Sequence, residues 1–252
     1  MSVLSIVITI VIIVLIIMLI RYMFYDPYTL QQLQNGQTSS TIQGSDLATN
    51  GTDVASSNFS YSVWFYVNDW NYRYGEPKVI FGRMGAKSPS GDGSIQGVSG
   101  LDPCPAVVLT PIENNLAISL GCYPGIDQEP TTPGGNTVVH TCNVSNVPIQ
   151  KWVNLIISTY GRSLDVYIDG KLVRTCLLPG IASVNNNSNI FVTPAGGFDG
   201  WTSRFQYWPN SMNPQEAWNI YTRGPTSWAN LNSYQLQISL VENGTSQGTV
   251  TI

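Results

Sequence analysis

The sequence predicts an all-β protein built as a two-sheet antiparallel sandwich of the jelly-roll kind. Three observations predict this class. Charged residues make up only 10% of the 252 positions, well below the roughly 25% of ordinary soluble domains. Glycine and proline supply 23 and 15 positions, which is typical of a chain with many tight turns. Between these turns, short apolar runs follow one another, and only one stretch beyond the N-terminal segment has a helical pattern.

The chain opens with an apolar run, because residues 3–20 read VLSIVITIVIIVLIIMLI without a charge. As a helix this run would cover roughly 27 Å, close to the ~30 Å hydrocarbon core of a bilayer. We therefore expect residues 1–25 to form an uncleaved single-pass anchor, with the lipid bilayer as a partner. The alternative, a cleaved signal peptide, would need a small-residue cleavage site after the run. Instead the residues that follow resemble a membrane-interface belt: Arg21, Tyr22, Phe24 and Tyr25.

Residues 26–57 are rich in Gln, Ser, Thr, Asn and Gly, and their few isolated leucines and isoleucines follow no period. This composition favours a polar stalk or linker. The first strong strand pattern comes next, in FSYSVWFYV at residues 59–67. Its alternation predicts that Phe59, Tyr61, Val63, Phe65 and Val67 share one face.

Hairpin signals recur along the rest of the chain. The runs 105–110 and 115–120 flank an Asn-rich turn, and residues 151–178 divide into three alternating strands. Asp169-Gly170 separates the last two of these strands, and an Asp-Gly pair favours the type I′ turn of a hairpin. Residues 213–221 are the one helical stretch in this part of the chain, with Asn213 as the expected N-cap. The strand-like tail, residues 229–252, offers two further runs that pair around Asn243-Gly244.

The middle of the chain resembles the concanavalin A-like, LamG-type jelly roll. The residues that carry this likeness are VPIQKWVNLIISTYGRSLDVYIDGKLV, together with FSYSVWFYVNDW before it and GGFDGWTSRFQYW and MNPQEAWNIYTRGP after it. The resemblance implies a LamG-like domain over residues 58–228.

A finer resemblance is to the LamG-like proteins of large nucleocytoplasmic DNA viruses, of the chlorella-virus and giant-virus kind. It is carried by Cys104-Pro105, by the QKWVN strand, by the run from Lys171 to Gly180 and by a GGF turn. This likeness implies a virion protein, such as a minor capsid component at the interface of an inner membrane and the capsid, with capsid proteins as partners. The alternative function is a membrane-tethered, lectin-like protein that binds glycans.

Catalytic patterns are weak in this sequence. Glucanases of the same fold need two carboxyl groups about 5 Å apart, held rigidly on one strand. Asp127 and Glu129 have a related spacing but fall in a Gly/Pro-rich loop, and His140 is the only histidine. We therefore expect a protein that is not an enzyme. The net charge of -4, without any basic cluster, argues against nucleic acid as a partner.

Two kinds of ligand site stay open. Asp69, Asp102 and Asp199 are loop acids that offer hard oxygen ligands for calcium, although no D-x-D-x-D-G array fixes a site. No other cofactor is expected. Aromatic side chains that follow the first strong strand offer flat apolar faces for sugar rings, or else cap the end of the sandwich. These side chains are Trp70, Tyr72 and Tyr74.

The four cysteines are candidates for disulfides. Cys104 and Cys122 lie almost symmetrically about the Asn-rich turn, and Cys142 and Cys176 flank the three-strand segment. Four cysteines allow three connectivities, and the sequence does not choose among them. Free buried thiols are the alternative in a reducing compartment.

Overall fold

The computed structural model describes residues 11–19, 26–47, 56–87, 100–185, 188–226, 237–242 and 245–251. By its internal contacts the chain divides into two units. Tyr28–Pro225 form the larger unit, and the flanking segments Met1–Pro27 and Thr226–Ile252 form the other.

The described elements comprise two α-helices and fifteen strands, besides short 3₁₀ turns. Helix α1 covers residues 11–19, and helix α2 covers Pro214–Thr222. The strands are β1 (Thr29–Gln31), β2 (Gln34–Asn35), β3 (Ser40–Ile42), β4 (Ser60–Asp69), β5 (Lys78–Lys87), β6 (Gly100–Leu109), β7 (Leu116–Cys122), β8 (Val138–Val144), β9 (Trp152–Tyr160), β10 (Ser163–Ile168), β11 (Lys171–Leu177), β12 (Ile190–Val192), β13 (Asp199–Trp208), β14 (Gln237–Glu242) and β15 (Thr245–Thr251).

The larger unit is a sandwich of two antiparallel sheets. Sheet A has the order β1-β13-β4-β9-β10-β11, with β2 also paired to β13, and sheet B has the order β3-β12-β5-β6-β7-β8. Every pairing within them is antiparallel. The predicted all-β class and two-sheet antiparallel sandwich are therefore confirmed.

The core lies between the inward faces of the two sheets. All five residues that the alternation of β4 places on one face are buried there: Phe59, Tyr61, Val63, Phe65 and Val67. Inward residues of β9 and of sheet B meet them in the same cluster, among them Leu155, Leu116 and Ile118. The period of two in the sequence thus decides which residues of β4 face the core.

The segment predicted as three successive strands forms β9, β10 and β11, paired in that order. Asp169 and Gly170, at the β10–β11 turn, have φ angles of 51° and 72°. Both values are positive, as a type I′ turn requires. Helix α2 begins with the expected cap, since the Asn213 side chain accepts from the Glu216 amide and the Glu216 side chain accepts from the Asn213 amide. Both local predictions are confirmed.

The segment expected to be a polar stalk differs from that expectation. Between residues 29 and 42 it contributes β1 and β2, which pair with β13, and β3, which pairs with β12. Ile42 and Leu47 are buried in the main core. The composition of this segment favours a linker. Backbone pairing at the sheet edges and burial of Ile42 and Leu47 nevertheless hold it against the sandwich.

The smaller unit contains helix α1 and a two-stranded sheet of β14 and β15. The two strands pair antiparallel, from Gln237 opposite Thr251 to Glu242 opposite Thr245. The pairing predicted for the strand-like tail is confirmed.

The expected membrane anchor is not supported. Among the described residues, no helix has the length and apolar character needed to cross a membrane. The prediction of a single-pass membrane protein at a virion or host-derived membrane is therefore wrong. The expected interface residues lie outside the described residues: Arg21, Tyr22, Phe24 and Tyr25.

One disulfide joins the two sheets at their edges. Cys142 on β8 is bonded to Cys176 on β11, with their Cα atoms 6.1 Å apart. Strand β8 ends sheet B and β11 ends sheet A, so the bond links the two layers directly. The other two candidates, Cys104 and Cys122, are free and buried, and burial raises the pKa of both thiols.

A buried arginine lies in the core close to tyrosines. The Arg83 guanidinium donates to the Tyr61 hydroxyl at 3.2 Å and to the backbone carbonyls of Ser188 and Asn185 at 3.1 and 2.8 Å. Burial raises the pKa of Tyr61 well above its ordinary value, and it also raises the pKa of Tyr207. The Tyr61 hydroxyl is therefore held in its neutral form as the acceptor for Arg83.

Replacing both bonded cysteines, Cys142→Ser with Cys176→Ser, is expected to lower the free energy of unfolding by about 2–4 kcal/mol. The bond closes a long loop in the unfolded chain, because the two residues are 34 positions apart. Urea unfolding with and without reductant measures the effect. The double variant should not respond to reductant, and an unchanged unfolding midpoint after complete reduction of the native bond would contradict this account.

Tyr61→Phe is expected to lower the free energy of unfolding at pH 7 by about 1 kcal/mol or more, since Arg83 loses an acceptor. It should also reduce the loss of stability at alkaline pH. The pKa of Tyr61 is raised in the folded state, so its contribution is complete below the unfolded pKa of about 10 and declines as the pH rises above that value. Urea unfolding at pH 7 and pH 10.5 tests both effects. Tyr74→Phe, at a side chain 58% exposed, is the control, and an equal alkaline loss in Tyr61→Phe and the native protein would disprove the assignment.

Candidate functional site

The outward face of sheet A is only partly covered. Helix α2 packs on it, with Ala217 and Ile220 against Ile156 and Tyr167. Next to this contact the Tyr221 ring stacks on Trp64, with ring centroids 5.7 Å apart. The helix therefore occupies the part of the face that Trp64 and Ile156 share.

Beyond the helix, three aromatic rings form a row across neighbouring strands. Trp152 on β9, Tyr66 on β4 and Trp201 on β13 lie directly opposite one another in the sheet register. The Tyr66 centroid is 5.8 Å from that of Trp152 and 5.6 Å from that of Trp201, with interplanar angles of 60°. Trp201 is 41% exposed, and Tyr66 and Trp152 are half-buried. We call these three residues the aromatic row.

The local sequence explains why the row exists. Val67 and Phe65 point into the core, so Tyr66 between them points outward. The same alternation places Trp152 outward next to buried Val153, and Trp201 outward next to buried Thr202. Cross-strand aromatic neighbours on one face stabilise the sheet as well as forming a surface.

A polar cluster adjoins the row. Asn68, two residues after Tyr66, donates from its side chain to Asp199 Oδ2 at 2.8 Å. Gln37 donates to Asp199 Oδ1 at 3.0 Å. All three of these side chains are exposed or half-buried. The exposed face thus offers flat rings beside amide and carboxylate groups.

The aromatic residues predicted as ligand-binding lie on a different surface, the loop after β4. Trp70 donates from its indole N–H to the Ile112 carbonyl at 3.1 Å and packs against the core. Its ring also lies 4.4 Å from the Lys78 amine. Tyr72 is half-buried and Tyr74 is exposed. Trp70 therefore caps the end of the sandwich, which was the alternative to sugar binding. A role of Tyr74 in sugar binding stays a prediction.

The position of the Trp70 ring is explained by its contact with the buried amine of Lys78. The side chain is fully buried, and its Nζ has no hydrogen-bond partner among the described residues. Burial lowers the pKa of this amine, and the nearby Arg73 lowers it further. The π face of Trp70 is the compensating contact for a desolvated cation, so that face is not available to a ligand.

The calcium candidates are not brought together as one set. Asp102 is buried and accepts hydrogen bonds from the Thr137 hydroxyl at 2.7 Å and from the amides of Asn136 and Thr137 at 3.0 Å. Its carboxylate fixes the loop before β8. Asp69 and Asp199 do lie opposite each other in the register of β4 and β13. Within the described part of the chain, no group of three or more His, Cys, Asp or Glu residues is placed to hold a metal ion.

Asp69 and Asp199 nevertheless serve different partners. The Asp69 carboxylate accepts from the backbone and side-chain amides of Asn71 at 2.8 and 3.1 Å. Asp199 accepts from Asn68 and Gln37 in the polar cluster. Each carboxylate thus organises the chain around it.

Sequence reasoning missed the aromatic row. The alternation of residues 59–67 places Trp64 and Tyr66 on the face opposite the core, but it does not show which outward residues of other strands lie beside them. The available signal was an aromatic residue at an outward position on each of three strands. Only the strand order β13-β4-β9 shows that these positions are neighbours.

Comparison with known proteins shows similarity at the level of fold. No protein-family model matches the chain, and no curated protein is significantly similar to it. Among solved structures, the binding domain of botulinum neurotoxin DC in complex with SialylT matches with a TM-score of 0.50 and 14% identity, over 76% of this chain and 41% of the neurotoxin chain. A mutant of HCR/D matches with a TM-score of 0.50 and 12% identity, over 76% of this chain and 42% of the other.

This chain therefore spans about two fifths of the structures that it matches. At such low identity the likeness shows the fold alone, a β-sandwich shared by unrelated functions.

Asp102→Ala is expected to lower the free energy of unfolding by about 2–4 kcal/mol, because it leaves buried amide donors without an acceptor. Hydrogen exchange at residues 136 and 137 should accelerate more than exchange in the core of β9. Asp127→Ala, in an exposed loop, is the matched control. If added calcium stabilised the native protein and Asp102→Ala removed that effect, Asp102 would be a metal ligand and the loop-fixing role would be wrong.

Proposed function

We propose that the sandwich is a non-enzymatic, lectin-like domain of the concanavalin A-type jelly-roll class, which binds carbohydrate on the outward face of sheet A. The aromatic row is the observation that carries this proposal. If the three rings of the row had only a structural role, we would expect α2 to cover them as it covers Trp64. The row lies beyond the helix and keeps its rings accessible.

The dimensions of the row suit a short saccharide. Neighbouring strands are about 4.8 Å apart, so rings on three strands extend over about 10 Å. A surface of this length accommodates about two sugar rings stacked through their apolar C–H faces. Tryptophan and tyrosine also keep a polar N–H or O–H at the ring edge for a hydroxyl group.

The polar cluster would supply directional contacts. Sites that bind small molecules combine apolar surface with a few placed polar groups. Asp199 holds the Asn68 and Gln37 amides in fixed positions, and each amide retains further donor and acceptor capacity. Sugar hydroxyls can use both kinds of group.

The chemistry of the nearby acidic residues supports binding rather than catalysis. Glycoside hydrolysis needs one carboxyl group to donate a proton and a second to attack or to activate water. Asp199, two residues before Trp201, and Asp69, opposite it in the register, are engaged as acceptors for amide groups. Asp127 and Glu129 are exposed in a loop. Binding without bond cleavage is the function that these positions support best.

The neurotoxin binding domain in complex with SialylT supports the proposal by analogy of fold. The role of a minor capsid protein, with capsid proteins as partners, stays a prediction from the viral resemblance. Neither the described contacts nor the structural likenesses add support to it. An exposed aromatic row could also bind another protein. The experiments must therefore distinguish glycan binding from protein binding.

Trp201→Ala is expected to weaken glycan binding at least about tenfold, because loss of one stacked ring costs about 1.5 kcal/mol. A glycan array identifies a ligand, and calorimetry with that ligand measures the affinity. Tyr160→Ala, which removes an exposed ring elsewhere on β9, is the matched control and should bind normally. Chelation of calcium should have no effect.

Two further variants test whether glycans bind to the aromatic row or to the loop after β4. Tyr74→Ala is expected to leave glycan binding unchanged, whereas Trp152→Ala should weaken it as Trp201→Ala does. A folded native protein that binds no glycan on the array would overturn the proposal. Equal losses in Tyr160→Ala and Trp201→Ala would remove the row as the binding surface.

A further inference from the structure

A second concave site lies where the two sheets approach each other at the disulfide. Its volume is about 360 Å³, within the range of small-molecule pockets. One wall is residues 143–148, at and after the end of β8, and the other comes from the β10–β11 hairpin through Ile168, Val173 and Arg174. We call this the edge pocket.

The fold holds both walls of the edge pocket in place. Cys142 precedes the first wall directly, and Cys176 lies two residues beyond Arg174, so the disulfide joins the walls. Two asparagines of the β6–β7 turn hold residues 146 and 147. Asn115 Oδ1 accepts from the Asn146 amide at 3.1 Å, and the Asn114 side chain donates to the Val147 carbonyl at 2.9 Å. A ligand would therefore meet a site that is formed in advance.

The edge pocket contains polar side chains that the fold does not use. The Arg174 side chain makes no hydrogen bond or ion pair with the described residues, unlike Arg73, Arg83 and Lys151. The exposed side chains of Ser145 and Asn146 likewise have no partner in the described part of the chain. One guanidinium, one amide and one hydroxyl are thus placed in the lining of the pocket beside the apolar residues Val147, Pro148 and Ile168.

The placement of Arg174 is informative in a chain with so few cations. It lies opposite Val166 in the register of β10 and β11, and Val166 points into the core. Arg174 therefore lies on the inward side of an edge strand, over the gap between the sheets. The Arg174 side chain therefore belongs to the lining of the edge pocket and not to the outward face of sheet A.

We propose that the edge pocket binds an acidic saccharide through its carboxylate. The planar guanidinium of Arg174 matches a carboxylate with two parallel hydrogen bonds. The Asn146 amide and the Ser145 hydroxyl would bind ring hydroxyls, and the apolar wall would contact a ring face. The edge pocket is built from β8, β10 and β11, so this proposal does not rest on the aromatic row of β4, β9 and β13.

The test is an NMR titration of the full chain with D-glucuronate, with neutral D-glucose as the comparison probe. Glucuronate is expected to cause saturable shifts in the amides of residues 143–147 and 173–174, and glucose is expected to bind at least tenfold more weakly. Arg174→Gln should weaken glucuronate binding at least tenfold. Lys171→Gln, which removes an exposed cation from the same strand, should change it less than twofold.

Arg174→Lys keeps the charge but loses the planar fork, and it should bind more weakly than the native protein. Thermal unfolding of each variant checks that the fold is retained. Glucuronate shifts in the amides of residues 143–147 and 173–174, without matching shifts at residues 66, 152 and 201, separate this site from the aromatic row. Equal losses in Arg174→Gln and Lys171→Gln would reveal unspecific charge attraction. Either that result, equal binding of glucose, or shifts that do not saturate would overturn the proposal.

Discussion

The position of β4 between β13 and β9 is the constraint on which the rest of the larger unit depends. Its inward residues fill the core opposite sheet B, and its outward residues Trp64 and Tyr66 meet α2 and the aromatic row. A shift of one residue in either pairing would exchange these two sets of side chains, because successive residues of a strand point to opposite faces. Burial of five large apolar groups therefore also fixes the position of the exposed rings.

Local sequence signals predicted the local structure well. The alternation of residues 59–67, the Asp169-Gly170 turn and the capped helix at Asn213 each specify their own conformation through short-range sterics and hydrogen bonds. The segment of residues 29–42 was harder, because its strands depend on edge pairing with β12 and β13, which no local pattern reveals. The composition of the apolar run at the N-terminus suits a helix in lipid, but among the described residues no helix has the length and apolar character to cross a membrane.

The candidate sites could be predicted only in part. The sequence predicted an aromatic carbohydrate surface at Trp70, Tyr72 and Tyr74, which are close together in the chain. The row instead joins residues far apart in the chain, Tyr66, Trp152 and Trp201, through strand order. The structural role of Asp102 could not be predicted for the same reason, because its hydrogen-bond donors lie more than thirty positions away in the chain. Sites made by long-range pairing are visible only once the sheet topology is known.

Strand β11 pairs with β10 on one side and ends sheet A, and the unpaired edge of such an exposed strand is a template on which another chain can add a strand. Two features oppose such growth. The disulfide anchors the strand to the other layer, and Lys171 and Arg174 place positive charges on the strand itself. Oxidising conditions during biosynthesis would therefore protect this protein against aggregation as well as against unfolding.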